Sequence, residues 1–223
     1  MNSGVGQRIQ EIIKTLPSEV KLVAVSKFHS IDKILSAYQV GQRIFGESKE
    51  QELSKKVELL PKDIEWHYIG HLQTNKVKFI APYISMIEAV DSVKLLNEIN
   101  KQAAKCNRTI DVLLELHIAE EDSKYGFKLD ECRQFLLSGA WQQLTHIRIR
   151  GLMMMASYVE DEKQIEREMM MASDFFDELK STIFAETDCF NQRSWGMSDD
   201  YHIAIKCNST LVRIGSAIFG ERS

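Results

Sequence analysis

Short apolar runs alternate with segments of helical periodicity along nearly the whole chain. Eight of these runs have the length and the apolar content that predict buried β-strands. The predicted strands are Lys21–Lys27, Arg43–Ser48, Glu65–His71, Met86–Val90, Asp111–Ile118, Ile147–Met155, Arg193–Met197 and Thr210–Ile214. Because helical segments separate these strands, the pattern predicts a parallel sheet whose connections are helices.

The segments between the strands carry apolar stripes and residues that are typical of helix ends. Ser30 is suited to cap the first of these helices, and Gly41 is suited to end it. The longest segment is acidic, and its Glu and Lys residues are expected to face solvent. The predicted helices include 30–41, Glu50–Leu60, a helix that begins at Asp91 or Ser92, Val159–Ile183 and, before the first strand, Val5–Leu16.

Eight strands that alternate with helices predict a closed (β/α)8 TIM barrel, since eight strands close this type of sheet. We therefore expect an α/β fold, with residues 1–223 forming a single barrel domain that has an extra N-terminal helix. An open doubly wound sheet is the competing fold. It would carry a glycine-rich turn after its first strand, whereas Phe28, His29 and Ser30 follow Lys27 here.

The composition narrows the class of function without identifying it. The 223 residues fit one large α/β domain, and no apolar stretch is long enough to span a bilayer. The net charge of -4 and the pI near 5.9 argue against a nucleic-acid partner, because proteins that track phosphates usually present a basic face. The polar N-terminus, Met1–Ile13, is unlike a signal peptide, and we expect a cytoplasmic protein.

The cysteines and histidines do not form a recognisable metal-binding pattern. The four cysteines are scattered and include no C-x-x-C pair, which predicts reduced thiols. They are Cys106, Cys132, Cys189 and Cys207. His67 and His71 are four residues apart on one predicted strand, so we expect them to point to the same side. No third ligand accompanies them, and we expect no metal site.

Lys27 ends the first apolar run, Leu22–Lys27, and lysine rarely ends a buried strand without a chemical or structural reason. An amine at the dry mouth of a barrel loses its proton more easily and can attack a carbonyl to form a Schiff base. The alternative is a lysine whose stem follows the strand while its ammonium reaches solvent.

The loops after the seventh and eighth strands are where barrels of this type often bind phosphate. Ser198 follows the seventh strand and offers a hydroxyl beside a helix start. Arg213, Gly215 and Ser216 end or follow the eighth strand, where glycine permits close approach and serine adds a donor. A phosphate site and a Schiff-base lysine in one barrel mouth indicate either pyridoxal 5′-phosphate (PLP) or a phosphorylated aldehyde or ketone substrate.

Five motifs, in the same order, resemble those of the YggS/PROSC family of pyridoxal phosphate homeostasis proteins. They are Ala24–Lys27, Phe45–Ser48, Trp66–Lys76, Gly196–Asp200 and Val212–Gly220. The resemblance covers about residues 21–222 and implies the barrel domain that also occurs in alanine racemase. It implies that Lys27 is the Schiff-base lysine, that Ser198, Gly215 and Ser216 contact phosphate, and that Arg213 faces the pyridine nitrogen.

Three further positions enter the predicted site on weaker grounds. Ser48 stands where the family commonly has asparagine, and serine lacks the amide's two-sided hydrogen bonding. Met153 belongs to a run of three methionines at the end of the sixth strand, which either pack the barrel or approach the cofactor ring. Lys124 matches another family motif, and it is either a solvated loop residue or close to the cofactor.

The resemblance favours a cytosolic protein that holds PLP as a Schiff base and takes part in PLP homeostasis without strong catalytic activity. An arginine at the pyridine nitrogen disfavours ring protonation and so weakens the ring as an electron sink. We also expect no second domain of the kind that completes alanine racemases, and this favours a monomer. PLP-dependent apoenzymes are candidate recipients. The alternatives are a racemase-like PLP enzyme and a phosphosugar aldolase.

Overall fold

The computed structural model describes residues 3–118 and 125–220 of the chain. Its strands form one closed barrel, all parallel and paired in chain order, with β8 beside β1. The strands are β1 (Lys21–Val25), β2 (Ile44–Glu47), β3 (Glu65–Tyr68), β4 (Met86–Val90), β5 (Ile110–Leu116), β6 (Ile147–Met154), β7 (Gln192–Ser194) and β8 (Leu211–Ile214). The prediction of a (β/α)8 barrel is confirmed.

Helices connect successive strands and form the outer layer. They are α1 (Ser3–Thr15), α2 (Ile31–Gln39), α3 (Glu50–Leu59), α4 (Val77–Ile80), α5 (Val93–Lys105), α6 (Leu129–Leu137), α7 (Glu162–Ser181), α8 (Tyr201–Lys206) and α9 (Ser216–Phe219). Short 3₁₀ turns lie at Thr74–Lys76 and Ala140–Gln143. The predicted N-terminal helix is confirmed as α1, which packs against α2 and α9.

Apolar side chains pack against both the outer and the inner face of the barrel's sheet. The outward side chains join the helices in one large buried core, as expected for a barrel whose helices cover the sheet. A smaller buried cluster lies inside the barrel and consists of Val23, Met86, Ala89, Leu113, Met153 and Leu211. Because alternate residues of a strand face inward, the inward positions above this cluster determine what lines the barrel mouth.

Six of the eight strands end earlier than their sequence predicts, and the early ends of β1 and β3 leave predicted residues outside a strand. β1 ends at Val25, so Lys27 lies in the turn that follows the strand and is not the strand's last residue. β3 ends at Tyr68, where its pairing with β4 stops, so His71 lies beyond the strand. The expectation that His67 and His71 share one side of a strand is therefore wrong.

Helix α7 is shorter than the predicted Val159–Ile183, and one of its charged side chains, Glu168, is buried instead of facing solvent. Asp161 caps it by accepting hydrogen bonds from the backbone N–H groups at 163 and 164. Glu168 is buried and accepts hydrogen bonds from both the backbone N–H and the hydroxyl of Ser157, each at 2.7 Å. This glutamate joins the β6–α7 loop to the helix instead of facing solvent.

All four cysteines are unpaired, and Cys132 and Cys207 are buried. Burial raises the pKa of the Cys132 thiol to about 12, which keeps this thiol protonated. Among the helices in the described parts of the chain, none is long and apolar enough to cross a membrane.

Candidate functional site

A cavity of about 260 Å³ opens at the barrel mouth, where the carboxyl ends of the strands meet. This is the end at which barrels of this type carry their active sites. Residues from the loops after β1, β3, β6, β7 and β8 contribute to it. The lining consists of Val25, Lys27, His29, Ile69, Met155, Met197, Ser198, Asp199, Arg213, Gly215, Ser216 and Gly220.

Five of the residues predicted for the site line this cavity together: Lys27, Ser198, Arg213, Gly215 and Ser216. Their convergence follows from the topology, because β7, β8 and β1 are neighbours in the closed barrel. An amine, two hydroxyls, a glycine backbone and a guanidinium therefore meet in one cavity.

Two other predicted residues, Met153 and Ser48, lie outside the cavity lining. Met153 lies in the apolar cluster inside the barrel, and Met155, the next inward position toward the mouth, lines the cavity instead. Ser48 follows β2 outside the lining, where its backbone carbonyl accepts a hydrogen bond from the Tyr68 hydroxyl at 3.1 Å. Lys124 lies outside the described residues.

The loops after β7 and β8 are joined to each other across the cavity. The Ser198 hydroxyl accepts a hydrogen bond from the backbone N–H of Gly215 at 3.2 Å. Gly215 then begins α9, since its carbonyl accepts hydrogen bonds from the backbone N–H groups of Ile218 and Phe219, each at 2.9 Å. These contacts hold the Ser198 and Ser216 hydroxyls on one wall of the cavity.

Arg213 forms the floor of the cavity between the mouth and the barrel interior. Its side chain is buried and donates hydrogen bonds to the Ser194 carbonyl at 2.7 Å, the Ser194 hydroxyl at 2.6 Å and the Met154 carbonyl at 2.9 Å. The Glu88 carboxylate lies 4.0 Å from the guanidinium. Burial lowers the pKa of Arg213, and the charge of Glu88 opposes this effect.

Glu88 is the centre of a polar layer below the cavity. One carboxylate oxygen lies 2.6 Å from Nδ1 of His67, and the other accepts a hydrogen bond from the Ser194 hydroxyl at 2.5 Å. Burial alone would raise the pKa of Glu88. The hydrogen bond and charge of His67, the charge of Arg213 and the Ser194 hydroxyl outweigh burial, so the pKa lies below its ordinary value.

Glu115 is a second buried carboxyl inside the barrel. Its Oε2 atom has no hydrogen-bond partner in the described part of the chain. Burial raises its pKa to about 7, the nearby Asp91 carboxylate adds to this rise, and Arg213 opposes it. Glu115 therefore titrates near neutral pH, while Glu88 stays ionised.

The sequence-based prediction missed both buried carboxyls, although the sequence contains a signal for each. Glu88 and Glu115 are each the single charged residue in an otherwise apolar stretch, Met-Ile-Glu-Ala-Val and Val-Leu-Leu-Glu-Leu. Charged residues are almost never fully buried without a partner. A lone glutamate in a buried strand therefore indicates a polar layer inside the barrel.

The two histidines that were considered as metal ligands lie apart in different surroundings. His67 is buried against Glu88, whereas His71 lies beyond β3 with its Nδ1 atom 2.7 Å from Asp91. The His71 ring also stacks on Tyr125, with 3.7 Å between ring centroids. Within residues 3–118 and 125–220, no group of three histidine, cysteine or acidic side chains is arranged to hold a metal ion.

Comparison with known proteins defines the family. The model of the alanine racemase N-terminal domain matches residues 5–223. The pyridoxal phosphate homeostasis protein of Pasteurella multocida is 37% identical over 97% of this chain and 94% of its own. The chain belongs to the pyridoxal phosphate homeostasis family. The family's protein from Escherichia coli K12 is also 37% identical, over 92% of this chain and 87% of its own.

Among solved structures, PipY of Synechococcus elongatus is similar to this chain along its full length. PipY without PLP superposes with a TM-score of 0.91 at 31% identity, covering 97% of this chain and all of PipY. PipY with PLP bound gives a TM-score of 0.87 at 30% identity, again over 97% of this chain. Alanine racemase of Streptomyces coelicolor shares the fold alone. It has a TM-score of 0.79 at 16% identity, and this chain covers 58% of that one.

Proposed function

We propose that residues 1–223 form one PLP-binding barrel domain that holds PLP covalently through Lys27 and acts in PLP homeostasis. One observation carries this proposal: Lys27, Arg213 and the two serine hydroxyls, Ser198 and Ser216, line the same cavity. Family membership and the PLP-bound structure of PipY support it.

The donors in the cavity fit the chemical groups of PLP. PLP, when bound, supplies an aldehyde that amines attach to reversibly and a pyridine ring that can withdraw electrons. Lys27 is the amine that would hold the aldehyde carbon. Ser198 and Ser216 would bind the phosphate through their hydroxyls, which donate to anions, and Gly215 would contact it because glycine permits close approach to the backbone. Arg213 would face the ring nitrogen from the cavity floor.

Arg213 favours storage over amino-acid chemistry. A guanidinium donates hydrogen bonds and does not accept them, so it can bind an unprotonated ring nitrogen and opposes its protonation. The Glu88 carboxylate, which would have the opposite effect at a ring nitrogen, is engaged by His67 and Ser194 and lies outside the cavity lining. The ring would therefore remain a weak electron sink.

Delivery of the cofactor follows from reversible attachment. An incoming amine can displace Lys27 without any other bond being broken, so a PLP-dependent apoenzyme that presents its own lysine would be a suitable recipient.

We infer that the protein is a cytoplasmic monomer. The four unpaired cysteines are compatible with a reducing compartment.

The test is an absorbance titration of the purified protein with PLP, followed by an assay of amino-acid racemisation. Wild type should take up PLP with the new near-visible absorption of a covalent adduct, and Lys27→Ala should not. Lys101→Ala is the matched control, because Lys101 is an exposed lysine on α5. Interconversion of alanine or serine enantiomers at about 1 per second or faster would replace the carrier function with that of an enzyme.

A further inference from the structure

A buried cluster of charges lies behind the Lys27 turn, between β2 and α3. Its cation is Lys56 of α3, which is only 4% exposed. The Lys56 ammonium lies 2.8 Å from Oε1 of Glu47 and 2.6 Å from Oε1 of Glu52. It also donates a hydrogen bond to the Ser26 carbonyl at 2.8 Å. The cluster therefore contacts the chain immediately before Lys27.

A buried lysine of this kind requires a specific reason. Glu47 is completely buried, and its Oε1 atom accepts hydrogen bonds from Lys56 and from the Ser26 hydroxyl, at 2.8 and 2.5 Å. Its Oε2 atom has no partner within the described residues. Buried ion pairs contribute little net stability, because desolvation offsets much of their attraction, and apolar replacements are often equally stable. Stability alone does not account for this cluster.

The contacts of the cluster converge on the residues on either side of Lys27. Before it, the carbonyl and hydroxyl of Ser26 are both engaged, and the Ser26 backbone N–H donates to the Gly46 carbonyl at 3.0 Å. After it, the Phe28 backbone N–H donates to Oε1 of Glu52 at 2.7 Å. The two neighbours of Lys27 are thus fixed from the outer side of the barrel.

Phe28 adopts a backbone conformation that needs this support. Its φ angle is +67°, in the left-handed region that residues other than glycine rarely enter. Such strain persists only where the surroundings fix it, and it concentrates at functional sites. The hydrogen bond to Glu52 provides one such restraint, directly beside Lys27.

We infer that Lys56 is a positioning residue for Lys27: with Glu47 and Glu52, it fixes the 26–28 turn so that the Lys27 amine points into the cavity. This inference rests on the proposed function, in which Lys27 holds PLP. Lys56 and the two glutamates do not line the cavity, so they act through the turn and not by contact with the cofactor.

The first test removes both buried charges together. In the double variant Lys56→Met/Glu47→Gln, methionine preserves the length of the side chain and glutamine still accepts a hydrogen bond from Ser26. The rate of PLP attachment to Lys27 should fall at least about tenfold, as expected for a misplaced reacting group. The pH profile of attachment, which reports the ionisation of the reacting amine, should differ from that of the wild type, because the Lys27 amine then has different surroundings.

The second test changes Glu52, the partly exposed member of the cluster, and leaves Lys56 paired with Glu47. Glu52→Ala removes the acceptor of the Phe28 N–H, and Glu58→Ala makes the same change at an exposed position on the same helix. Attachment should slow about threefold or more in Glu52→Ala and stay unchanged in Glu58→Ala. This variant remains decisive if the double variant does not fold.

The outcomes separate the inference from the function on which it rests. Attachment rates and pH profiles equal to wild type in both Lys56→Met/Glu47→Gln and Glu52→Ala would overturn the positioning role and leave the proposed function intact. Wild-type protein that attaches no PLP at Lys27 would overturn the proposed function itself. Slower attachment with a shifted pH profile, at an unchanged unfolding midpoint in urea, supports the inference.

Discussion

The hydroxyl of Ser198 accepts a hydrogen bond from the backbone N–H of Gly215 at 3.2 Å, and this contact joins the loops after β7 and β8. The two loops form one wall of the cavity, so the position of each depends on the other. A change at Ser198 would therefore affect both a predicted phosphate donor and the loop that carries Ser216.

Ser198→Ala should weaken PLP binding about tenfold, since it removes one donor to an anion and one contact between the loops. Dissociation constants for PLP, and for inorganic phosphate as a competitor, measure the effect. Ser181→Ala, at the exposed end of α7, is the matched control and should bind as wild type does. Equal PLP affinity in Ser198→Ala and Ser181→Ala would place the phosphate elsewhere.

Gly196 and Gly41 form a matched pair for testing how tightly the β7–α8 loop is packed. Both have left-handed backbones, with φ of +93° and +97°. A Cβ at Gly196 would lie 2.5 Å from the Cβ of Ala204, whereas a Cβ at Gly41 would meet no atom within 4 Å. Gly41→Ala should lower the free energy of unfolding by about 1 kcal/mol through backbone strain alone.

Gly196→Ala should lower the free energy of unfolding by about 2 kcal/mol more than Gly41→Ala, because overpacking adds to the backbone strain. Urea unfolding of the two variants and the wild type gives both values. An equal decrease in the free energy of unfolding in the two variants would show that the loop shifts to accommodate the added methyl group. The packing around Gly196 would then not fix the position of Ser198.

Glu115 should make stability depend on pH between mildly acidic and neutral conditions. Its pKa is raised from 4.5 to about 7 in the folded protein. The folded protein binds the Glu115 proton more tightly than the unfolded chain does, and this difference stabilises the fold. The stabilisation is complete below about pH 4.5 and is lost as the pH rises through 7. The loss amounts to about 3 kcal/mol in the free energy of unfolding.

Glu115→Gln removes this titration, because glutamine stays neutral throughout. Relative to Glu115→Gln, the wild type should lose about 3 kcal/mol of unfolding free energy between pH 4 and pH 8. Urea unfolding at several pH values measures it. Parallel pH profiles for the two proteins would mean that Glu115 titrates near its ordinary pKa.

The barrel could be predicted from the sequence because most of its strands are buried on both faces. Such strands appear as short continuous apolar runs, and helical segments separate all eight. The strand ends could not be predicted in the same way. β1 and β3 end at Val25 and Tyr68, although the next residue in each case still fits a strand, since Ser26 is buried and Ile69 is apolar.

The cavity-lining residues were predicted where a residue type matched a loop position, as with Ser198, Gly215 and Ser216. How deep the cavity reaches into the barrel could not be predicted. Met153 and Met155 both face inward, and although Met155 is nearer the mouth, sequence spacing cannot show which of them lines the cavity. The burial of Glu168 was also missed, because its partner Ser157 lies in a preceding loop and not on the same helix.

Borohydride reduction of the PLP-loaded protein, followed by peptide mapping of the labelled lysine, tests directly whether Lys27 holds PLP. We expect one stable label, on Lys27, and its loss in Lys27→Ala while the barrel remains folded. A label that persists in Lys27→Ala, or that maps to another lysine in the wild type, would contradict the central role of Lys27.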